Sequence, residues 1–155
     1  LRAESAKYAI QMKDFNVMLP FDCTLFVLQA VNNLMGQSHN TSRLVGSVLN
    51  EDAKVQEYQE TNNVLCLAVM RQFQFFLAFI FDDFERIFEV RNDHSEAQLE
   101  GSIPGLFGLC MINFCNSMAA ISLFRKSGQS RYLRVAKKLA KKVQGWSDAG
   151  VSSGS

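Results

Sequence analysis

The stretch "RYLRVAKKLAKKVQGW", Arg131 to Trp146, carries four lysines, two arginines and no acid in sixteen residues. Tyr132, Val135, Ala136, Leu139, Ala140 and Val143 recur at helical intervals and form one apolar stripe. Arg131, Arg134, Lys137, Lys138, Lys141 and Lys142 lie off it. Such a helix packs on one face and is solvated on the other. Ser130 is placed as its N-cap, and cations toward its C-terminal end suit the helix dipole. The uncharged run before it, "CMINFCNSMAAISLF" (110–124), is the natural surface for the stripe.

Outward from this helix, the same periodicity places further helices over about 2–15, 20–35, 51–81, 82–92 and 103–124. Tyr8, Met12 and Phe15 give the first its stripe. Pro20 sits near the start of the second, where a missing N–H costs nothing, and Gly36 supplies its C-terminal stop. The residues between 36 and 50 cluster Gly, Ser, His, Asn and Thr and read as a loop. Residues 51–81 read as one long helix, polar in its first half and apolar in its second. A polar connector covers 93–102.

The bulk composition agrees with a packed helical domain. The chain has 155 residues, 48% hydrophobic and 20% charged, with 13 Phe and 6 Met against 2 Pro and 9 Gly. That balance excludes a disordered chain and argues against a strand-and-turn protein. Residues 1–100 hold 8 basic and 14 acidic side chains, net −6, while residues 101–155 hold 8 and 1, net +7. Such polarity can mark an electrostatic partner, but attraction between two halves of one fold is the better account, because the basic residues follow a helical pattern. Residues 1–147 are taken as a single helical segment and 148–155, from the close "SDAGVSSGS", as a flexible tail. A start at Leu1, with helical pattern almost at once, reads as a piece of a longer chain.

Motifs for chemistry are absent. Cys23, Cys66, Cys110 and Cys115 lie in apolar stretches without CxxC or a His at ligand spacing, which predicts reduced structural thiols and neither a metal nor a disulfide framework. His39 and His94 stand in polar segments. Asp82, Asp83 and Glu85 form an acidic cluster that doubles as a helix start. No catalytic, cofactor or metal residue is assigned, and the segment is expected to be non-enzymatic. Nucleic-acid binding is disfavoured because the basic helix lacks interleaved aromatics for base stacking. Two apolar runs, 64–81 and 103–124, give an alternative reading as membrane spans; against it stand Arg71 in the first and Pro104, Asn113 and Asn116 in the second.

Helix pairs in series suggest a solenoid. "AFIFDDFERIFEV" (78–90) and "LFRKSGQSRYLRVAKKL" (123–139) each end an apolar helix, turn, and start another with an aromatic, Phe84 or Tyr132. Six segments carry a more particular likeness: "KYAIQM" (7–12), "LQAVNNLMG" (28–36), "RLVGSVLNED" (43–52), "ETNN" (60–63), "LAFIFDDFE" (77–85) and "FRKSGQSRYLRVAKKLAKKVQGW" (124–146). In that order they resemble the tetratricopeptide-like helical region of very large signalling proteins. In those proteins a protein-kinase-like domain and a signal-transduction ATPase precede the region, and a histidine kinase or nucleotide cyclase often follows. The chain departs from that pattern at Ile87 to Val90, where smaller residues are expected.

The resemblance implies an all-α fold of antiparallel helix pairs in a right-handed solenoid. It also implies a cytoplasmic regulatory spacer whose partners are proteins or flanking domains of its own chain. Packing or contact roles fall to Phe84, Tyr132, Leu139 and Trp146, and an electrostatic surface to Arg131, Arg134, Lys137, Lys138, Lys141 and Lys142.

Overall fold

The computed structural model describes residue 7, residues 18–92 and residues 106–152. The described residues form six helices: α1 (Met18–Leu34), α2 (Glu51–Glu60), α3 (Val64–Ile80), α4 (Phe84–Asn92), α5 (Leu106–Ser127) and α6 (Ser130–Ser152). Among them there is no strand, only one isolated antiparallel bridge from Val45 to Asn50. The fold is all-α, as the apolar periodicity predicts. The expected first helix lies outside the described residues except for Lys7, which is helical. The connector at 93–102, with His94, lies outside them entirely.

Short left-handed turns separate the helices. Gly36 has φ 70°; its N–H donates to Asn33 O and that of Gln37 to Asn32 O, closing α1 in the Schellman pattern. Asn62 does the same work for α2 at φ 51°. Its N–H donates to Gln59 O, and that of Asn63 to Tyr58 O. The Asn63 side chain then caps α3 by accepting from Cys66 N at 3.1 Å. The long helix expected over 51–81 is therefore two, because one asparagine adopts the left-handed conformation that Asn tolerates and the next starts a new helix. Asp82 (φ 55°) and Gly128 (φ 68°) mark the later joints.

The chain forms two compact units, residues 1–81 and 82–155. In the first, α3 packs against both α1 and α2. Its core joins Phe26 and Ala30 of α1, Tyr58 of α2 and Leu67, Met70 and Leu77 of α3, together with Leu44 and Leu49 from the loop. Phe26 stands edge-on to Tyr58, ring centroids 6.3 Å apart. In the second unit α5 packs against α4 and α6. Ile87 and Val90 of α4 are fully buried there. Alanines do occur in that core, Ala119 and Ala120 on α5 and Ala136 on α6, so the small residues lie on the other helices rather than after the α4 turn.

The loop between α1 and α2 is organised by two α1 amides. Gln29 Nε2 donates to Asn33 Oδ1 at 2.8 Å. Gln29 Oε1 accepts from Val48 N and Leu49 N, at 3.1 and 3.2 Å. Asn33 Nδ2 donates toward the carbonyls of Asn40, Thr41 and Arg43. Buried Glu51 closes the far end, accepting from Leu44 N and Arg43 Nε, both at 2.9 Å. Asn50 caps α2 by accepting from Asp52 N at 3.0 Å.

No helix among the described residues is long and apolar enough to cross a membrane. The reading of 64–81 and 103–124 as spans finds no support in α3 or α5. Arg71 and Gln74 are buried within α3, Arg71 Nη1 donating to Gln74 Oε1 at 2.8 Å. On α5, Asn113 and Asn116 turn back onto the Leu109 and Ile112 carbonyls. Residues 103–105 lie outside the described residues. At the other end α6 runs on to Ser152, so residues 148–152, read as part of a tail, are helical.

Replacing Gln29 by Ala is expected to cost about 1–3 kcal/mol, because it strips the buried Leu49 N–H of its acceptor. Gly46→Ala should act on the same clamp, since a Cβ there would sit 2.5 Å from Gln29 Nε2. Urea unfolding followed by circular dichroism measures both; a loss below about 0.5 kcal/mol for both variants would show that the loop does not depend on the clamp.

Candidate functional site

The basic helix α6 supplies most of the residues singled out from sequence. Ala136 and Leu139 are buried at 5% and 2% exposure, and Tyr132 and Val135 are half-buried. Val143 is 37% exposed and Ala140 is exposed. The packed stripe is therefore shorter than its periodicity suggests, running from Tyr132 to Leu139. Burial of Leu139 contributes about 1.5–3 kcal/mol. Arg131, Arg134, Lys137, Lys138 and Lys141 are exposed and Lys142 is half-buried.

The helix dipole does not arrange these cations. Because α6 continues to Ser152, its last turn carries no basic residue, and Lys137 to Lys142 stand mid-helix. Arg131 falls in the first turn, which has no acid to offset it. Ser130 is the first helical residue rather than a residue ahead of the helix. Two of the cations lie over rings, Arg131 4.6 Å from the Tyr132 centroid and Lys142 5.7 Å from that of Trp146. Trp146 is half-buried.

Phe84 and Tyr132 each follow a turn, but the ring that meets Tyr132 is Phe88, edge-on at 5.1 Å. Phe84 is half-buried at the start of α4. Phe88 lies one turn further along α4, and only the helix-to-helix register, which is non-local, selects it.

The acidic cluster at 82–85 is divided among separate tasks. Asp82 is exposed in the left-handed turn, Asp83 Oδ1 accepts from Arg86 N at 3.1 Å, and Glu85 Oε1 accepts from Lys126 Nζ at 2.8 Å. That hydrogen bond holds Glu85 below the ordinary carboxylate range and Lys126 above its own. Both side chains are more than half exposed, so solvent screens the pair.

Sequence reading missed a second polar cluster, in the first unit. Asp22 is 1% exposed and its Oδ1 accepts from Lys54 Nζ at 3.1 Å. The Cys66 thiol lies 3.8 Å from Asp22 Oδ2. Lys54 also bonds Glu57 and sits 5.2 Å from the Tyr58 ring centroid. Burial works against the Lys54 charge, but the Glu57 and Asp22 carboxylates outweigh it and raise its pKa. Burial, then Asp22, pushes the Cys66 thiol up to about 11, and burial alone takes Cys115 to about 11. The Tyr58 phenol is held protonated well above its ordinary range, first by burial and then by Asp22. These shifts favour inert, protonated groups over nucleophiles. All four cysteines are free thiols, Cys66 and Cys115 buried. Among the described residues no group of three His, Cys, Asp or Glu could hold a metal ion. His39 is exposed in its loop.

Two outcomes follow for solution measurements. Raised pKa values mean that above about pH 9 the unfolded chain releases protons that the folded chain keeps, so stability falls as pH rises. Urea midpoints taken with reductant at pH 7, 9 and 10.5 should decline through the last interval, by roughly 1–2 kcal/mol per buried thiol; a flat profile would contradict the burial of these groups. Replacing Lys137, Lys138, Lys141 and Lys142 together by Gln should leave far-UV helicity nearly intact, whereas wholesale unfolding would mean that the charges hold α6 in place.

No family model matches the chain, no curated protein matches it, and no solved structure does.

Proposed function

We propose that the chain is a non-catalytic helical-repeat segment that makes protein contacts within a larger signal-transduction protein. The resemblance in sequence motivates the placement beside kinase and ATPase modules, in the cytoplasm, with antiparallel helix pairs stacked as a right-handed solenoid. The contacts are with flanking domains or with a separate protein. No role in catalysis and no cofactor is part of this reading.

One observation carries it. Large apolar side chains stand exposed in pairs one turn apart, Phe76 with Ile80 on α3 (37% and 42%) and Phe114 with Met118 on α5 (50% and 38%). Such pairs form continuous apolar strips rather than isolated surface residues, and strips of this kind suit contact with another protein surface. Repeat segments have this property because each unit buries its outer faces only against a neighbour. The acids nearest to a catalytic cluster, Asp83 and Glu85, are taken up by a helix cap and an ion pair, which favours a structural role for them.

Light scattering coupled to size exclusion tests the proposal. The chain is expected to self-associate at micromolar concentration, and the variants Phe76→Ser/Ile80→Ser and Phe114→Ser/Met118→Ser to shift it toward monomer with unchanged helicity. A chain that stays monomeric and binds no hydrophobic dye would remove the reason for reading these strips as contact surfaces.

A further inference from the structure

The cations of the second unit are not all taken up within the chain. Lys126 of α5 pairs with Glu85, and Arg131 donates to the Tyr132 hydroxyl and stacks on its ring. Arg134, Lys137 and Lys141 are exposed, and among the described residues none of the three makes a hydrogen bond, ion pair or ring contact. They stand at i, i+3 and i+7, a single row about 10 Å long on one face of α6. Asp148, the only acid of α6, lies two turns beyond Lys141 and accepts from Gln144.

The first unit carries the opposite surface. The exposed residues of α2 are Asp52, Ala53, Gln56, Glu57, Gln59 and Glu60, with three carboxylates and no cation. Lys54, the only cation of α2, is turned inward to Asp22 at 18% exposure. Asp52 and Glu57 meet Arg43 and Lys54, yet their side chains remain 71% and 47% exposed. A carboxylate held by one cation still has acceptor sites for another. Glu60 accepts from the Gln56 amide at 2.8 Å and meets no cation.

We propose that the exposed face of α2 in one copy of the chain docks on the Arg134, Lys137 and Lys141 row of a second copy. The inference rests on the protein-contact reading above; it names another copy of this segment as a partner and carboxylates against guanidinium and ammonium groups as the contact. Three features favour this occupant. The faces match in sign and length, since Asp52 to Glu60 spans about 12 Å of helix, so several charges engage at once where one exposed pair would add little. The Asp52 and Glu57 side chains are already held by Arg43 and Lys54 and lose less freedom on docking. The C-terminal end of α2 has no basic residue in its last turn, so its partial negative charge adds to that of Glu60.

Other anionic surfaces suit the row less well. Base stacking needs open rings, and those of α6 carry cations of their own, Arg131 over Tyr132 and Lys142 over Trp146. Lying on a lipid surface needs a broad apolar face, but Ala136 and Leu139 are already buried.

Sedimentation velocity on the full chain tests the assignment. Self-association is expected to weaken by about fivefold or more between about 50 and 500 mM sodium chloride, as the Debye length falls to a few ångströms. At the lower salt, Lys137→Glu/Lys141→Glu and Gln56→Lys/Glu60→Lys should each weaken it by about fivefold or more, because like charges then face each other. An equimolar mixture of the two variants should associate within about twofold of the unsubstituted chain, since each supplies the face that complements the other.

A chain that is monomeric at low salt, or whose association ignores salt, would overturn the proposal. So would a mixture that associates no better than its components. The salt response needs no substitution and decides the matter even if a variant fails to fold. Tighter binding to phosphatidylserine vesicles or to a single-stranded oligonucleotide than to a second copy would also overturn it. Salt-insensitive association that is lost in the Phe76→Ser/Ile80→Ser and Phe114→Ser/Met118→Ser variants removes this contact alone. Salt-sensitive association that those variants leave unchanged removes the strips alone.

Discussion

Two side-chain amides one turn apart on α1, Gln29 and Asn33, hold the loop from 36 to 50 in a fixed shape, and the first unit depends on that shape. A loop of this length brings many backbone N–H and C=O groups, and those leaving water must be matched elsewhere. Gln29 takes up the Val48 and Leu49 N–H groups, and Asn33 reaches three carbonyls on the other limb. With these satisfied, Leu44 and Leu49 can enter the core at 0% and 4% exposure beside Phe26 and Tyr58. Glu51 then links the end of the loop to the first turn of α2. Gln29, Asn33 and Glu51 in this interior thus hold backbone groups of the loop.

A repeated device sets the helix lengths. Each of the joints at Gly36, Asn62, Asp82 and Gly128 has one residue in the left-handed region. Glycine takes this conformation without cost, and Asn and Asp are the side chains that tolerate it best. The residue that follows an acid or amide joint starts the next helix with its own side chain, as Asn63 and Asp83 do. Two adjacent short polar residues thus stop one helix and start another. The joint is compact enough for the next helix to pack at once, as α5 and α6 do across Gly128.

These devices explain which parts of the fold could be read from the chain. The stop at Gly36 and the Tyr132-to-Leu139 part of the α6 stripe are local signals, and both appear in the structure. The break at Asn62 was hidden because the apolar period resumes quickly on its far side and asparagine is a weaker stop than glycine. The burial of Leu44 and Leu49 was equally hidden, since their acceptors and core neighbours lie on α1, distant in sequence. The same holds for the ring contact of α4 with α6. Sequence pointed to Phe84 and Tyr132 as the aromatics after turns; that Phe88 meets Tyr132 is set by helix register. The four lysines from Lys137 to Lys142 were visible as a solvated face. That Arg131 lines a cleft with Phe88 of α4 and Tyr132 of α6 became visible only in the structure.

Amide hydrogen exchange on the intact chain tests most directly the claim that buried polar side chains serve to hold the backbone. The Leu44, Val48 and Leu49 amides lie in a loop, yet each donates to a side-chain oxygen of Glu51 or Gln29. The account predicts that they exchange as slowly as the core amides of α3, at Met70 and Phe75, through the same opening of the first unit. Exchange at the rate of the exposed turn around His39 would contradict it, and would mean that the loop opens independently of the helices it is tied to.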